Sequence, residues 1–357
     1  MGKTEIYGTI GPACAKAETL TEMFRLGMAG IRLNLSHTGL ESCREWTELI
    51  KAAAKAAGKQ PKLLIDLQGP ELRIGELRQP VELAEGETAV FVESGKSGAG
   101  AASLLENNLA GAGRDTAAIP VPEPVLGAFK AGQEVLLDDG KILLQVLGQE
   151  NSAKAQEGIL CKVLRGGTLK SRKSIALPGV RLKLPVLTES DRRNIRSARS
   201  HGVTGVMLPF VRSAEDLIEL RQELQEADAG ELEVFAKIEN LEGVAHLEEL
   251  LPFADQIVVA RGDLGNSMPL WELPVVQAKI AETCRLAGKP FLIVTQMLAS
   301  MEEHPFPTRA EVSDIFRAVS EGAASVMVTG ETAVGKYPAE TIRYLVNTVR
   351  AAEGYCR

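Results

Sequence analysis

Residues 234–240 read VFAKIEN. Val234, Phe235, Ala236 and Ile238 have the branched and aromatic character of a buried strand, yet Lys237 and Glu239 share one face of it, two residues apart, where an interior is expected. Charges are placed inside a fold only where something pairs with them, so this stretch asks for a fold whose strands end in a polar site.

Working outward, the chain alternates short apolar runs with helical periods. TEIYGTI, GIRLNL and KLLIDL precede the stretch as strands, VTGVML comes just before it, and DQIVVA, PFLIVT and ASVMVT follow. Helices are expected at about residues 15–26, 41–58, 188–202, 213–225, 241–250, 274–288, 309–322 and 338–352. Between residues 71 and 173 this rhythm breaks. VELAEG, ETAVFV, EVLLDDGKILLQVL and GILCKVL alternate with turns, and Asp139-Gly140 is a hairpin signal. Eight strand-then-helix units with buried strands specify an α/β fold, a (β/α)8 TIM barrel over 1–70 and 174–357. A small β-barrel-like lid domain, 71–173, is inserted after the third strand. An open doubly wound sheet is the alternative, and eight units closing on a helix favour the barrel.

The bulk properties exclude several classes. The 357 residues carry a formal net charge of -7, with 45% hydrophobic and 24% charged residues. That balance argues against general binding of nucleic acid or an anionic membrane. No apolar run approaches the ~20 residues of a membrane span. The opening MGKTEIYGTIGP lacks the apolar core of a signal peptide. Cys14, Cys43, Cys161, Cys284 and Cys356 are scattered without metal-site spacing and read as free thiols. A soluble cytoplasmic protein is expected.

In a barrel of this kind the chemistry belongs at the C-terminal ends of the strands. Those ends are polar: Arg32, Asn34, Ser36 and His37 after the second, Asp66 at the third, Lys237 and Glu239 at the fifth. Arg261 and Asp263 follow the sixth, Thr295 and Gln296 the seventh, and Thr329 and Glu331 the eighth. Any one could be a helix cap or a structural ion pair; their convergence on one face is harder to explain that way. Glu239 and Asp263 are hard oxygen ligands suited to Mg²⁺ or Mn²⁺. Arg32, Arg73, Lys173 and Lys237 supply positive charge for phosphate oxygens, and Gly262 in ARGDLG lets backbone N–H groups approach an anion. Phosphoryl transfer needs that combination, because its catalysis is mostly positioning and charge neutralisation. Lys237 and Glu239 are thus read less as partners of each other than of a phosphate and a metal. GETAVGK, residues 330–336, imitates a phosphate loop, but Tyr337 stands where a Ser or Thr should reach the metal.

TIGPA, GIRLNLSHT, DLQGPELR, LPGVRLKLP, AKIENLEGV, VVARGDLG, GKPFLIVTQMLASM, PTRAEVSD and TGETAVGKYPAE occur in that order. As a set they resemble the pyruvate kinase family along essentially the whole chain. The resemblance implies transfer of the phosphoryl group of phosphoenolpyruvate to ADP, followed by protonation of the enolate to pyruvate, with a mobile lid over the barrel. It implies that Arg32 contacts the phosphoryl group and that Lys237 stabilises it and the developing enolate. Glu239 and Asp263 would hold Mg²⁺ or Mn²⁺. Asn34, Ser36, Asp66 and the Leu67 carbonyl would hold K⁺, a dependence that goes with Glu71. Backbone groups at Gly262 and Asp263 would cradle the substrate carboxylate, with Thr295 near the protonation site. Asn34, His37, Arg73 and Lys173 would serve the nucleotide.

The chain departs from the family at Gln68, where a lysine is usual, and at Ser174-Ile175-Ala176, where Gly-Val-Asn is usual. The nucleotide side has drifted while the phosphoryl and metal residues stand. A kinase with another nucleotide or acceptor, or a non-catalytic homologue that binds phosphoenolpyruvate and metal, are therefore the alternative readings. The family's further domain, which holds a sugar-phosphate effector site, is not matched, so no control through such a site is expected. A homodimer, if any, is expected through the barrel.

Overall fold

The computed structural model describes residues 3–356 except 37, 71, 95–116, 139, 149–157, 179 and 181–183. The His37 and Glu71 expectations and Asp139 of the hairpin turn therefore lie outside the described residues.

Eight strands run parallel and close on themselves: β1 (Glu5–Thr9), β2 (Gly30–Asn34), β3 (Lys62–Asp66), β12 (Gly205–Leu208), β13 (Glu233–Ile238), β14 (Gln256–Ala260), β15 (Phe291–Val294) and β16 (Ser325–Met327). Their order round the barrel follows the sequence, with β12 beside β3 and β16 beside β1. Seven longer helices intervene or follow: α1 (Ala17–Leu26), α2 (Arg44–Ala56), α3 (Glu189–His201), α4 (Ala214–Glu226), α5 (Leu273–Leu286), α6 (Arg309–Ser320) and α7 (Pro338–Tyr355).

Although both faces of each strand are buried, the period of two persists in what each face touches. Along β13, Val234, Ala236 and Ile238 join the large apolar layer under the helices. Phe235 points the other way and packs with Tyr7, Leu64, Met207, Val258, Leu292 and Met327 inside the barrel. Lys237 and Glu239 continue the inward face of Phe235, one and two steps closer to the C-terminal mouth. The same alternation carries Thr9 after Tyr7 and Asp66 after Leu64. An apolar plug thus fills the barrel, with a polar layer above it.

The helix expected over 241–250 is two short ones, Leu241–Ala245 and Leu247–Leu250. His246 interrupts them, its backbone at φ -101°, ψ 14°, and its Nδ1 donates to the Arg212 carbonyl at 3.1 Å. α3 starts as expected at Thr188, whose hydroxyl accepts from the Asp191 N–H while the Asp191 carboxylate accepts from the Thr188 N–H. Asp191 is wholly buried and also accepts from the backbone N–H groups of Gln68 and Gly69, at 2.8 and 3.1 Å.

GETAVGK is no phosphate loop. Residues Gly330–Ala333 form one helical turn against the turn Ala299–Glu302. A Cβ at Gly330 would lie 2.1 Å from Glu302 Oε1, and one at Gly335 would lie 2.5 Å from the Glu331 carbonyl. These glycines admit neighbouring chain rather than a ligand. Gly11 does the same where the barrel closes, because a Cβ there would stand 2.4 Å from the Ala333 carbonyl oxygen. Gly11→Ala is expected to cost ~1–3 kcal/mol by overpacking. Calorimetry should register a lowered thermal midpoint; an unchanged midpoint would contradict so tight a seam.

The chain divides into two compact units, Met1–Pro70 with Pro185–Arg357, and Glu71–Leu184. The second unit runs past the expected limit of 173 because β11 (Ile175–Ala176) pairs with β7 (Glu134–Leu137). Its other strands are β4 (Val81–Leu83), β5 (Thr88–Glu93), β6 (Ala117–Val121), β8 (Ile142–Gly148), β9 (Ile159–Arg165) and β10 (Gly167–Leu169). They form a six-stranded sheet and a two-stranded one where the small barrel is expected. The hairpin pairing stands, with Leu137 opposite Ile142. The unit has its own core, which includes Phe91, Ile119, Val135, Leu144 and Val163.

Among the described residues no helix is long and apolar enough to cross a membrane. All five cysteines are free, and only Cys356 is exposed.

Candidate active site

The inward alternation places Arg32, Asp66, Lys237 and Glu239 together at the mouth. Asp66 is the hub. Arg32 donates to it through Nε at 2.8 Å and approaches it through Nη2 at 2.7 Å. Lys237 Nζ reaches both Asp66 oxygens, at 3.2 and 3.1 Å. Lys237 Nζ also lies 2.9 Å from Glu239 Oε1. Lys237 and Glu239, expected to serve a phosphate and a metal, also make an ion pair between themselves. They pair directly, because two residues on one strand face bring long side chains within reach.

Burial and charge compete in this cluster, and the outcome differs by residue. For Asp66, burial alone would raise the pKa, but Lys237 and Arg32 outweigh it and hold the carboxyl below its ordinary range. For Lys237, burial favours the neutral amine, but Asp66 and Glu239 outweigh it, so the ammonium is held above its ordinary value. Glu239 goes the other way. Burial, with the nearby charges of Asp263 and Asp66, pushes it up to about 7 against the opposing pull of Lys237.

That repulsion is the test of a divalent cation here. Glu239 is buried and Asp263 is exposed, so the pair presents hard oxygen ligands at the edge of solvent, and a cation would relieve their repulsion. Among the described residues no group of three or more His, Cys, Asp or Glu stands ready to hold a metal. The protein residues thus fit a cation that takes its remaining ligands from substrate or water. The residues expected for K⁺ are neighbours along β2 and β3 and in the chain that follows each strand. Asn34 is opposite Asp66 across β2 and β3, and Asn34 Oδ1 accepts from the N–H and hydroxyl of Ser36 at 3.1 and 2.8 Å. Leu67 follows Asp66 directly, its N–H bonded to the Met207 carbonyl at 3.1 Å.

ARGDLG forms the short helix Arg261–Asn266 straight off β14. Gly262 lies in its first turn, where backbone N–H groups have no partner within the helix. A Cβ on Gly262 would stand 3.2 Å from Thr295 Cγ2, so Thr295 packs over it. Arg261 pairs with Asp314 at 2.6 Å and also donates to the Thr295 carbonyl. Glu331 is buried and serves the backbone, accepting from the N–H groups of Leu298 and Thr329 at 3.1 and 2.6 Å.

Arg73 and Lys173 belong to the second unit. Arg73 bridges Ser174 and donates from Nη1 to the Arg172 carbonyl at 2.7 Å. Lys173 Nζ lies 2.6 Å from Asp138 Oδ1.

Two contributors carry no signal that the motifs would raise. Thr9 Oγ1 accepts from Arg32 Nη1 at 3.3 Å and donates to the Val328 carbonyl at 3.1 Å. It was findable, since it continues the inward alternation after Tyr7. Phe210 holds the second oxygen of Glu239 through its backbone N–H at 2.7 Å, with φ at 54°. A backbone donor leaves no mark in the residue type.

Residues 1–342 match the family model described as pyruvate kinase, barrel domain. Pyruvate kinase of Geobacillus stearothermophilus is 38% identical over 96% of this chain and 55% of its own length. The pyruvate kinases of Bacillus licheniformis and Staphylococcus aureus (strain MRSA252) are each 36% identical over 99% of this chain and 57% of their own. The chain thus spans just over half the length of the curated relatives it matches.

Proposed function

Because the chain belongs to the pyruvate kinase family, we propose that it moves the phosphoryl group of phosphoenolpyruvate to ADP, giving pyruvate and ATP. The observation that carries this reading is the buried Arg32–Asp66–Lys237–Glu239 cluster at the barrel mouth. Asp66 holds two cations side by side, and Arg32 is not used up. A guanidinium has five N–H donors, and Arg32 spends only some of them on Asp66 and Thr9, so donors remain for a phosphoryl oxygen. Lys237, held protonated, follows the charge as it passes to the enolate. The first-turn N–H groups at Gly262 and Asp263 would take the substrate carboxylate, with Thr295 near the carbon that is protonated.

Glu239 and Asp263 would hold Mg²⁺ or Mn²⁺, which when bound supplies Lewis-acid charge to the phosphoryl and enolate oxygens. Asn34, Ser36, Asp66 and the Leu67 carbonyl would hold K⁺. Asn34 and His37 would serve the nucleotide, and so would Arg73 and Lys173. A cytoplasmic setting and a homodimer through the barrel complete the reading.

A lactate dehydrogenase-coupled assay with phosphoenolpyruvate, ADP, Mg²⁺ and K⁺ tests it. Pyruvate should form, and omitting either cation should lower the rate. Folded protein that makes no pyruvate overturns the proposal. A second reading, a changed nucleotide preference, rests on Gln68 in place of the family's lysine. A panel of nucleoside diphosphates in the same assay decides it, and a clear preference for ADP counts against it.

A further inference from the structure

The turn that follows β15 adopts a conformation its residues do not favour. Thr295 and Gln296 have φ of 81° and 54°. A positive φ is a genuine outlier for a β-branched residue such as threonine, and it persists only where the surroundings over-determine it. The surroundings here include one side chain that grips both carbonyls. Arg261 donates to the Thr295 carbonyl from Nε at 3.1 Å and from Nη2 at 2.7 Å, and Nη2 also reaches the Gln296 carbonyl at 3.3 Å. Its remaining arm, Nη1, is anchored by Asp314 of α6 at 2.6 Å. A planar fork can grip successive carbonyls in this way, whereas an ammonium cannot.

The clamp has a further link to the site. Arg261 immediately precedes Gly262 and Asp263, and the Thr295 side chain packs over Gly262, with Cγ2 3.2 Å and Oγ1 3.7 Å from where a Cβ would be. One guanidinium therefore ties the first turn of the Arg261–Asn266 helix to the backbone carbonyl of Thr295, the residue whose side chain lies over Gly262.

We propose that Arg261, anchored by Asp314, is a positioning residue that fixes Thr295 against Gly262 and Asp263 for enolate protonation. This rests on the pyruvate kinase reading above. In that step the Thr295 O–H breaks, one C–H bond forms at the enolate methylene and the C–O⁻ becomes C=O; a proton from water remakes the hydroxyl and leaves hydroxide. Asp314 lies on α6, and its carboxylate meets Arg261 Nη1.

The test compares wild type, Asp314→Ala, Thr295→Ala, their double variant, and Arg261→Lys. It measures kcat and KM for phosphoenolpyruvate, thermal midpoint, and amide hydrogen exchange over residues 291–298. Asp314→Ala should lower kcat by about 10–10²-fold, as small misplacements do, with KM nearly unchanged. Arg261→Lys should not restore the wild-type rate. The double variant should be no slower than Thr295→Ala, because the two act through one group. Exchange over 291–298 should quicken in Asp314→Ala and Arg261→Lys. Additive losses in kcat, or a wild-type rate in Asp314→Ala, overturn the proposal. If wild type makes no pyruvate, the reading of the reaction fails by itself. Exchange still judges the clamp, and exchange unchanged in both Asp314→Ala and Arg261→Lys overturns it whatever the activity. Should Asp314→Ala fail to fold, Arg261→Lys takes its place in each comparison, and a wild-type rate there overturns the proposal equally.

Discussion

Lys237→Met should lower kcat/KM for phosphoenolpyruvate by about 10³-fold or more, the scale on which removal of a preorganised charge from a transition state is felt. The barrel should remain folded. Arg32 still holds Asp66 at 2.7 Å, so that carboxylate is not stranded. Glu239 loses the ammonium 2.9 Å away, and its carboxyl, already pushed up to about 7 by burial, Asp263 and Asp66, rises further. It can then take a proton at neutral pH, and a neutral acid is far cheaper to bury than a carboxylate. The same protonation weakens Glu239 as a ligand for a divalent cation. The variant should therefore show both a lost rate and a poorer response to Mg²⁺, with circular dichroism unchanged. A residual rate within tenfold of wild type would remove Lys237 from the proposed chemistry.

Asp66→Asn should be the more damaging change to stability. It leaves Arg32 and Lys237, both within 3.2 Å of one buried group, with no carboxylate between them. Breaking a buried ion pair from one side costs about 3–5 kcal/mol. The pH dependence carries a definite sign. A carboxyl held below its ordinary value contributes stability that is fully present above about pH 4 and is lost as pH falls through the depressed value. Urea unfolding of wild type and Asp66→Asn should thus differ most near neutrality, and the difference should shrink below about pH 4. A gap that persists unchanged into strong acid would sink this account of Asp66.

How much could be read in advance follows from what kind of group does the work. The stretch 234–240 carried the fold, because a period of two survives even in a strand buried on both faces. Eight such strands also put Arg32, Asp66, Lys237 and Glu239 at one rim without any contact being known. The contacts themselves were not legible. Whether Lys237 meets Glu239, Asp66 or neither depends on the closure of the barrel, which sets β3 two strands away from β13 across β12. The Phe210 N–H and the Thr295 carbonyl act as main-chain groups, which every residue possesses, so no letter marks them. His246 breaks a helix through one bond to a distant carbonyl, and Ile175-Ala176 join the second unit through pairing with a segment nearly forty residues earlier. Each is a long-range event that local propensity does not contain.

The pairing of β1 with β16 also fixes an order of events during synthesis. Glu5 lies opposite Ser325, and the Thr4 hydroxyl donates to the Ala323 carbonyl 319 positions away. No shorter part of the chain can complete that ring. The described strands of the second unit, by contrast, all fall between residues 81 and 176, so they have been made while the barrel still lacks five of its eight staves. Domains that are complete early can fold early, whereas contacts of high sequence separation form slowly and leave apolar edges open meanwhile. The inserted unit is thus the first part able to reach its native form. The outer edge of β1 waits unpaired until β16, the last stave, is made.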